Sequence, residues 1–325
     1  MKARDYDGSG KTIVKLCEIL PLRLKEIGIH TSELIVAILI VLILIGCGHR
    51  SPTEDNKGSA RLAILDERQM DLPLYAWGPK LSTDGKRIVF AGRNPWDGSN
   101  SIWIVDENGS NLQPLTNAPN SYDPSWFPNE DKIIFECGGD LFTVDTTGQS
   151  IEQITANWFW ESSPNVSPDG KTIVYASDSL DDKGDIWKMD LETSVATRLT
   201  SYEGIDGCPS WSADGRRIMY HCLVSGDDNI WVMDSSGNNK TQLTNSTESI
   251  ATWTVVSPCE TPDGFWIVYN IASAQQQGIW AIKPNGKNQF CLVTDGGNIS
   301  FSISGLCVYD KRGKLFVAHY VSQSE

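Results

Sequence analysis

The chain has 325 residues, 12 Trp, 28 Gly and a formal net charge of −14. Its 40% hydrophobic content is that of a globular protein, which excludes a polytopic membrane protein and a disordered chain. The acidity excludes nucleic acid as a partner, because phosphate binding needs a basic surface; the length admits two ordinary domains or one large all-β ring or barrel.

Leu34 to Ile45 reads LIVAILIVLILI, twelve apolar residues without a charge. A spanning helix needs about 20, whereas this length suits the apolar region of a secretory signal. Leu44-Ile45-Gly46-Cys47 overlaps its end and resembles the lipobox of bacterial lipoproteins. The resemblance implies residues 1–46 as an export signal, diacylglyceryl on the Cys47 sulfur and acylation of the amine freed by cleavage. Gly48, rather than Asp, after the cysteine implies the outer membrane of a diderm bacterium. The alternative is an uncleaved anchor from about Ile27. Either reading places the remainder outside the cytoplasm. Residues 47–58 read as the lipidated Cys and a flexible tether, polar and rich in breakers, with an r.m.s. reach of roughly 18 Å.

From residue 59 onward the chain repeats. Ile-Trp or a close variant stands at Ile102-Trp103, Leu141-Phe142, Ile186-Trp187, Ile230-Trp231 and Ile279-Trp280, in steps of 39, 45, 44 and 49 residues. Asp follows the aromatic by three residues at Asp106, Asp145, Asp190 and Asp234, and Lys283 breaks this in the fifth copy. A Leu-Thr-like pair closes each unit, as in Leu115-Thr116 and Leu199-Thr200. Each unit also carries a turn and an apolar run, such as PDGKTIVY from Pro168 or ADGRRIMY from Ala213, and Pro-Ser-Trp precedes the turn twice. The Asp-Gly pairs supply the positive φ of tight hairpins. Four short strands every 39–50 residues predict a β-propeller.

The pattern resembles the TolB-like, WD-like propeller repeat over residues 59–325. Five units are plain. The sixth is expected to form from two strands of each terminus: Arg61–Asp66 and Met70–Leu72 at one end, and a turn with one further strand run from Lys311 to Ala318 at the other. Such a closure removes exposed edges. The fold class is therefore all-β, a six-bladed propeller.

In an antiparallel meander the 1–2 and 3–4 hairpins share one rim, and the 2–3 loops and blade connections share the other. The first rim holds the regular turns. The second is irregular, and binding residues favour variable loops on a rigid scaffold. Its candidate binding residues are Trp96, Asp97, Tyr122, Trp158, Trp160, Asp181, Asp182, Tyr202, Asp227, Asp228 and Trp253: aromatics that suit partner docking among acids. The competing reading packs the rings between blades and leaves the acids merely solvated. Six tryptophans (Trp103, Trp126, Trp187, Trp211, Trp231, Trp280) sit at repeat positions and read as blade core; Trp266 lies in a strand.

Chemistry is thin by comparison. There is no HExxH, G-x-S-x-G or phosphate-binding glycine loop. Three His after the signal (His49, His221, His319) are scattered, unlike the His cluster of the similar oligogalacturonate lyase propellers. Asp178 to Asp185 clusters carboxylates, but its spacing fits no EF-hand loop. Six cysteines remain beyond Cys47, with 15 possible pairings; Cys208–Cys222, flanking one hairpin, is the best single pair, and free thiols are the alternative. The chain is thus expected to be a monomeric, non-catalytic scaffold without metal or cofactor, anchored through Cys47 and docking a protein partner. The alternative is a carbohydrate or peptidoglycan-fragment module using loop aromatics. A hydrolase or lyase with paired carboxylates ranks third.

Overall fold

The computed structural model describes residues 61–323 except 96, 130, 179–183, 202–203, 225–226, 246–256 and 273–276. Cys47 and the expected signal and tether lie outside the described residues. Gly58–Glu325 is a compact unit. Among the described residues no helix is long and apolar enough to cross a membrane.

The described chain builds six four-stranded antiparallel sheets. After β1 (Arg61–Gln69), blade I holds β2 (Tyr75–Leu81), β3 (Arg87–Arg93), β4 (Asn100–Asp106) and β5 (Gln113–Pro114). Blade II holds β6 (Ser121–Trp126), β7 (Lys132–Cys137), β8 (Asp140–Asp145) and β9 (Ile151–Gln153). Blade III holds β10 (Glu161–Val166), β11 (Thr172–Ser177), β12 (Asp185–Asp190) and β13 (Ala196–Arg198). Blade IV holds β14 (Ile205–Trp211), β15 (Arg217–Val224), β16 (Asp227–Asp234) and β17 (Thr241–Gln242). Blade V holds β18 (Cys259–Glu260), β19 (Ile267–Ala272), β20 (Gln277–Ile282) and β21 (Phe290–Thr294). Blade VI takes β22 (Ile299–Phe301), β23 (Leu306–Lys311) and β24 (Lys314–Gln323), and β1 completes it.

Both termini therefore close the ring, but in a three-plus-one split rather than two-plus-two. β1 pairs with β24 from Arg61↔Gln323 to Gln69↔Phe316, and Met70 and Leu72 leave the sheet and bury against blades I and VI. The run at Lys314 is the third strand of its blade, not the second. The first two strands escape a search for Asp-Gly because their turn is Ser302-Ile303-Ser304-Gly305. There the Ser302 and Ser304 hydroxyls, 2.8 Å apart, stand where other blades bond a hydroxyl to Asp.

That other arrangement recurs in blades I, III, IV and V, whereas blade II has Phe127-Pro128-Asn129 at its turn. Ser82 Oγ donates to Asp84 (2.8 Å), and Asp84 accepts the Lys86 N–H. Ser167 with Asp169, Ser212 with Asp214 and Thr261 with Asp263 repeat it. These bonds satisfy backbone and hydroxyl donors within each turn. The Leu-Thr pair has an equally local cause. Thr116, Thr155, Thr200 and Thr244 each accept, at 2.9–3.0 Å, the buried N–H of Ile102, Leu141, Ile186 and Ile230. The hydroxyl continues the ladder after the short fourth strand has ended.

The core consists of layers between blades. Val89 and Ala91 of blade I pack on Ile133 and Phe135 of blade II, while Ile88 and Phe90 face Val308 and Val317 of blade VI. Equivalent layers join the remaining pairs of neighbours. A strand buried on both faces must be apolar at consecutive positions rather than alternate ones, which explains runs such as Thr172-Ile173-Val174-Tyr175.

The six cysteines among the described residues are free. Cys208 and Cys222 are not bonded: Cys222 pairs across the hairpin with Asp206, and Cys208 sits in a bulge beyond His221, on the opposite side of the ladder.

Candidate functional site

Each first strand lines the centre of the ring. In blades I to IV its register slips at the residue before a proline. Those residues, Gly78, Asp123, Ser163 and Cys208, have φ of 60, 50, 51 and 48°. A bulge tolerates proline because its unpaired position needs no N–H donor, and here it turns one residue per blade toward the axis. With Ser257 and Asn298 these residues line a central cavity of about 50 Å³. Space of that size holds a few waters or a small solute, not a sugar.

The irregular rim surrounds one mouth of this cavity. Its principal feature is Trp158-Phe159-Trp160 in the connection from blade II to blade III. Trp158 is fully exposed, and Phe159 and Trp160 are 43% and 57% exposed. The backbone beneath them is fixed. Asn157 Oδ1 accepts the Phe159 N–H (2.8 Å), Asp178 accepts the Trp160 N–H (2.6 Å), and the Glu161 N–H donates to Gly139 O (2.8 Å). The Trp160 ring lies over Gly139, where an added Cβ would come within 3.3 Å of it. The three rings thus stand on a braced turn, beside Asp140, Asp178 and Glu161.

Two carboxylates beneath this aromatic turn carry raised pKa values. Burial pushes Glu136 up to about 7, and nearby Asp123 adds to the shift against the opposing Gly139 N–H. Burial also raises Glu161; Asp140 and Asp178 add to it, while hydrogen bonds from Thr155 and Asn157 oppose it. Acids whose charge is disfavoured in this way concentrate at functional sites.

The other candidates divide. Tyr122 accepts a hydrogen bond from Asn100 (2.6 Å), and its ring lies 6.5 Å from that of Trp77. It is half-buried between blades I and II. Asp97 folds onto its own loop, accepting the Ser99 N–H and hydroxyl at 2.9 and 2.6 Å, and those bonds lower its pKa. Asp227 opens β16 opposite Val224. Asp228 departs from its expected place on the acidic surface: it is buried, 3.0 Å from His221 Nδ1. Trp96, Asp181, Asp182, Tyr202 and Trp253 lie outside the described residues. The repeat-position rings are blade core as expected, with Trp103 and Trp211 buried and the other four half-buried.

Sequence reasoning missed two features. A cleft of about 950 Å³ opens between blades VI and I, lined by Tyr75, Trp77, Arg93 and Lys314 among others; it rests on the long Leu72–Leu74 crossing, which no repeat announces. His221 was also overlooked as a partner of distant groups. Burial, the largest influence, opposes its charge, yet hydrogen bonding to Asp228 and then Cys208 outweighs it and pushes the imidazole up to about 10. Among the described residues no group of His, Cys, Asp and Glu converges as a metal site.

Fold and rim together define a six-bladed propeller with a face of regular turns and an aromatic, acidic one. The model of the TolB beta propeller domain matches residues 136–305, and the chain belongs to that family. It is 31% identical over 128 residues to an uncharacterized protein of Agrobacterium fabrum, covering 39% of this chain and 42% of that one. It is 36% identical over 77 residues to the Tol-Pal system protein TolB of Francisella tularensis, 23% of this chain and 18% of the relative. The chain thus spans less than half the length of these curated relatives. The crystal structure of a putative TolB from Agrobacterium tumefaciens superposes with a TM-score of 0.62 at 20% identity, covering 82% of this chain and all of that one.

Proposed function

We propose that this protein is a non-catalytic interaction scaffold of the bacterial cell envelope, lipid-anchored at Cys47, which docks a protein partner on its irregular rim. The observation that carries the reading is the braced Trp158-Phe159-Trp160 turn. Three adjacent exposed rings on a rigid support lose little conformational freedom on binding, and such aromatics anchor interfaces. The acids beside them favour a partner with a basic docking surface and steer its approach at low salt. The likeness to a protein named for the Tol-Pal system supports an extracytoplasmic setting.

Crosslinking on membranes followed by capture of the protein tests the docking. The expected result is a discrete partner, lost in Trp158→Ala together with Trp160→Ala and weakened by salt. Capture of nothing beyond the monomer contradicts it. Radioactive fatty-acid labelling tests the anchor separately: label absent, or persisting in Cys47→Ala, removes it. A second reading rests on the cleft between blades VI and I. Tyr75 is 65% exposed there, beside half-buried Trp77, a surface on which a glycan could stack. Quenching of Trp fluorescence by peptidoglycan fragments, lost in Tyr75→Ala, would favour that alternative.

A further inference from the structure

Cys208, His221 and Asp228 form a linear array across blade IV. Cys208 lies on the bulge of β14 and lines the central cavity. His221 of β15 stands opposite the preceding residue, Gly207. A Cβ at Gly207 would come within 2.4 Å of His221 Nε2, so glycine is what lets the imidazole lie against the strand next to Cys208. On its far side, His221 Nδ1 is 3.0 Å from Asp228 Oδ1, and the Asp228 side chain is only 6% accessible. Asp228 and His221 are diagonal neighbours on one face of the β15–β16 ladder, within reach of each other without any loop to position them.

The array has the parts of an activated nucleophile: a thiol, a base beside it and a buried acid that fixes the base's tautomer. Among the described residues no other cysteine has an imidazole beside it in this way, and burial raises the pKa of Cys222, Cys259, Cys291 and Cys307. Around Cys208, Ser163 Oγ is 3.7 Å from the sulfur and donates to Asp123 at 3.0 Å; Lys80 and Asp123 are the charged groups lining the same cavity, with Asn165, Ser210, Ser257 and Asn298 as its neutral polar ones. Asp206 sits on the other face of the hairpin, paired with Cys222.

We propose that Cys208 is a reactive thiol activated by His221 and oriented through Asp228, and that peroxide entering the central cavity oxidises it. The thiolate sulfur attacks one oxygen of hydrogen peroxide, forming the S–O bond as the O–O bond breaks. The departing hydroxide takes the proton from His221 Nε2 and leaves as water. Sulfur is oxidised to the sulfenic acid and peroxide is reduced. A cavity of about 50 Å³ admits peroxide and excludes peptides. Cys222, on the opposite face of the hairpin, is not placed to resolve the product as a disulfide, so the sulfenic acid is the state to trap.

The test treats the whole chain with hydrogen peroxide and dimedone and follows each cysteine by peptide mass spectrometry. Cys208 is expected to be labelled about tenfold or more faster than exposed Cys291. Asp228→Asn and His221→Gln should bring its rate down to that of Cys291, with melting recorded alongside. Alkylation by iodoacetamide as a function of pH gives a readout that a merely structural His221 would not move: the Cys208 profile should shift upward in His221→Gln. Should both variants unfold, the ranking of thiols in the natural chain still decides. Cys208 reacting no faster than Cys291, or at an unchanged rate in folded variants, overturns the proposal.

Discussion

The turn acids of the regular rim and the acids beneath the aromatic turn of the irregular rim behave in opposite ways. On the regular rim, Asp84 is held at about 2, first by the Lys86 backbone N–H and then by its side chain. Hydrogen bonds within the turns likewise lower Asp169 and Asp214. Each of these three carboxylates is consumed by its own hairpin. On the irregular rim burial pushes Glu136 up to about 7 and raises Glu161, while Trp158 faces solvent. The first rim satisfies itself and leaves little for a partner. The second carries buried acids and exposed rings at a cost in stability, which is the usual mark of a surface kept for binding.

Five outcomes sharpen that contrast. The largest concerns the scaffold both rims share. Deleting residues 61–72 removes β1 and the buried Met70–Leu72 crossing, and should abolish cooperative unfolding by calorimetry; a soluble truncation with a sharp melt would contradict the closure. Phe135→Ala opens a cavity between blades I and II and should cost about 3–5 kcal/mol in urea denaturation.

Glu136→Gln acts on the irregular rim and in the opposite direction. Its folded pKa lies above the unfolded 4.5, so the native state binds the extra proton. Stability is then fully present below 4.5 and falls as pH rises through about 7. The variant should be more stable than the natural chain at pH 8, by up to about 3 kcal/mol, with the difference vanishing near pH 4. For Asp84 the sign reverses: its contribution is present above 3.8 and lost as pH falls through about 2. Thr116→Val leaves the Ile102 N–H without its acceptor and should cost about 1–3 kcal/mol. Trp158→Ala should shift stability by less than about 0.5 kcal/mol while removing partner capture.

The propeller was legible because each blade buries strands on both faces and most blades close their turns with the same few residues. The Ile-Trp, Asp-Gly and Leu-Thr signals are therefore local and repeated. Blade VI was only half legible because Ser304 replaces the turn Asp, so its first two strands carry no Asp-Gly mark. Of the candidate site, Trp158 and Trp160 could be read from loop position alone. Asp228 could not. It looks like one more surface acid until the β15–β16 register sets it beside His221, and the strand bulge that brings Cys208 next to them has no sequence signal beyond a proline.

Docking on the irregular rim is tested by site-specific photocrosslinking in living cells, with the crosslinker placed in turn at Trp158 on that rim and at Ala213 on the regular one. The expected result is a discrete protein adduct from position 158 and none from position 213. Adducts of equal yield from both positions, or none from position 158, would contradict it.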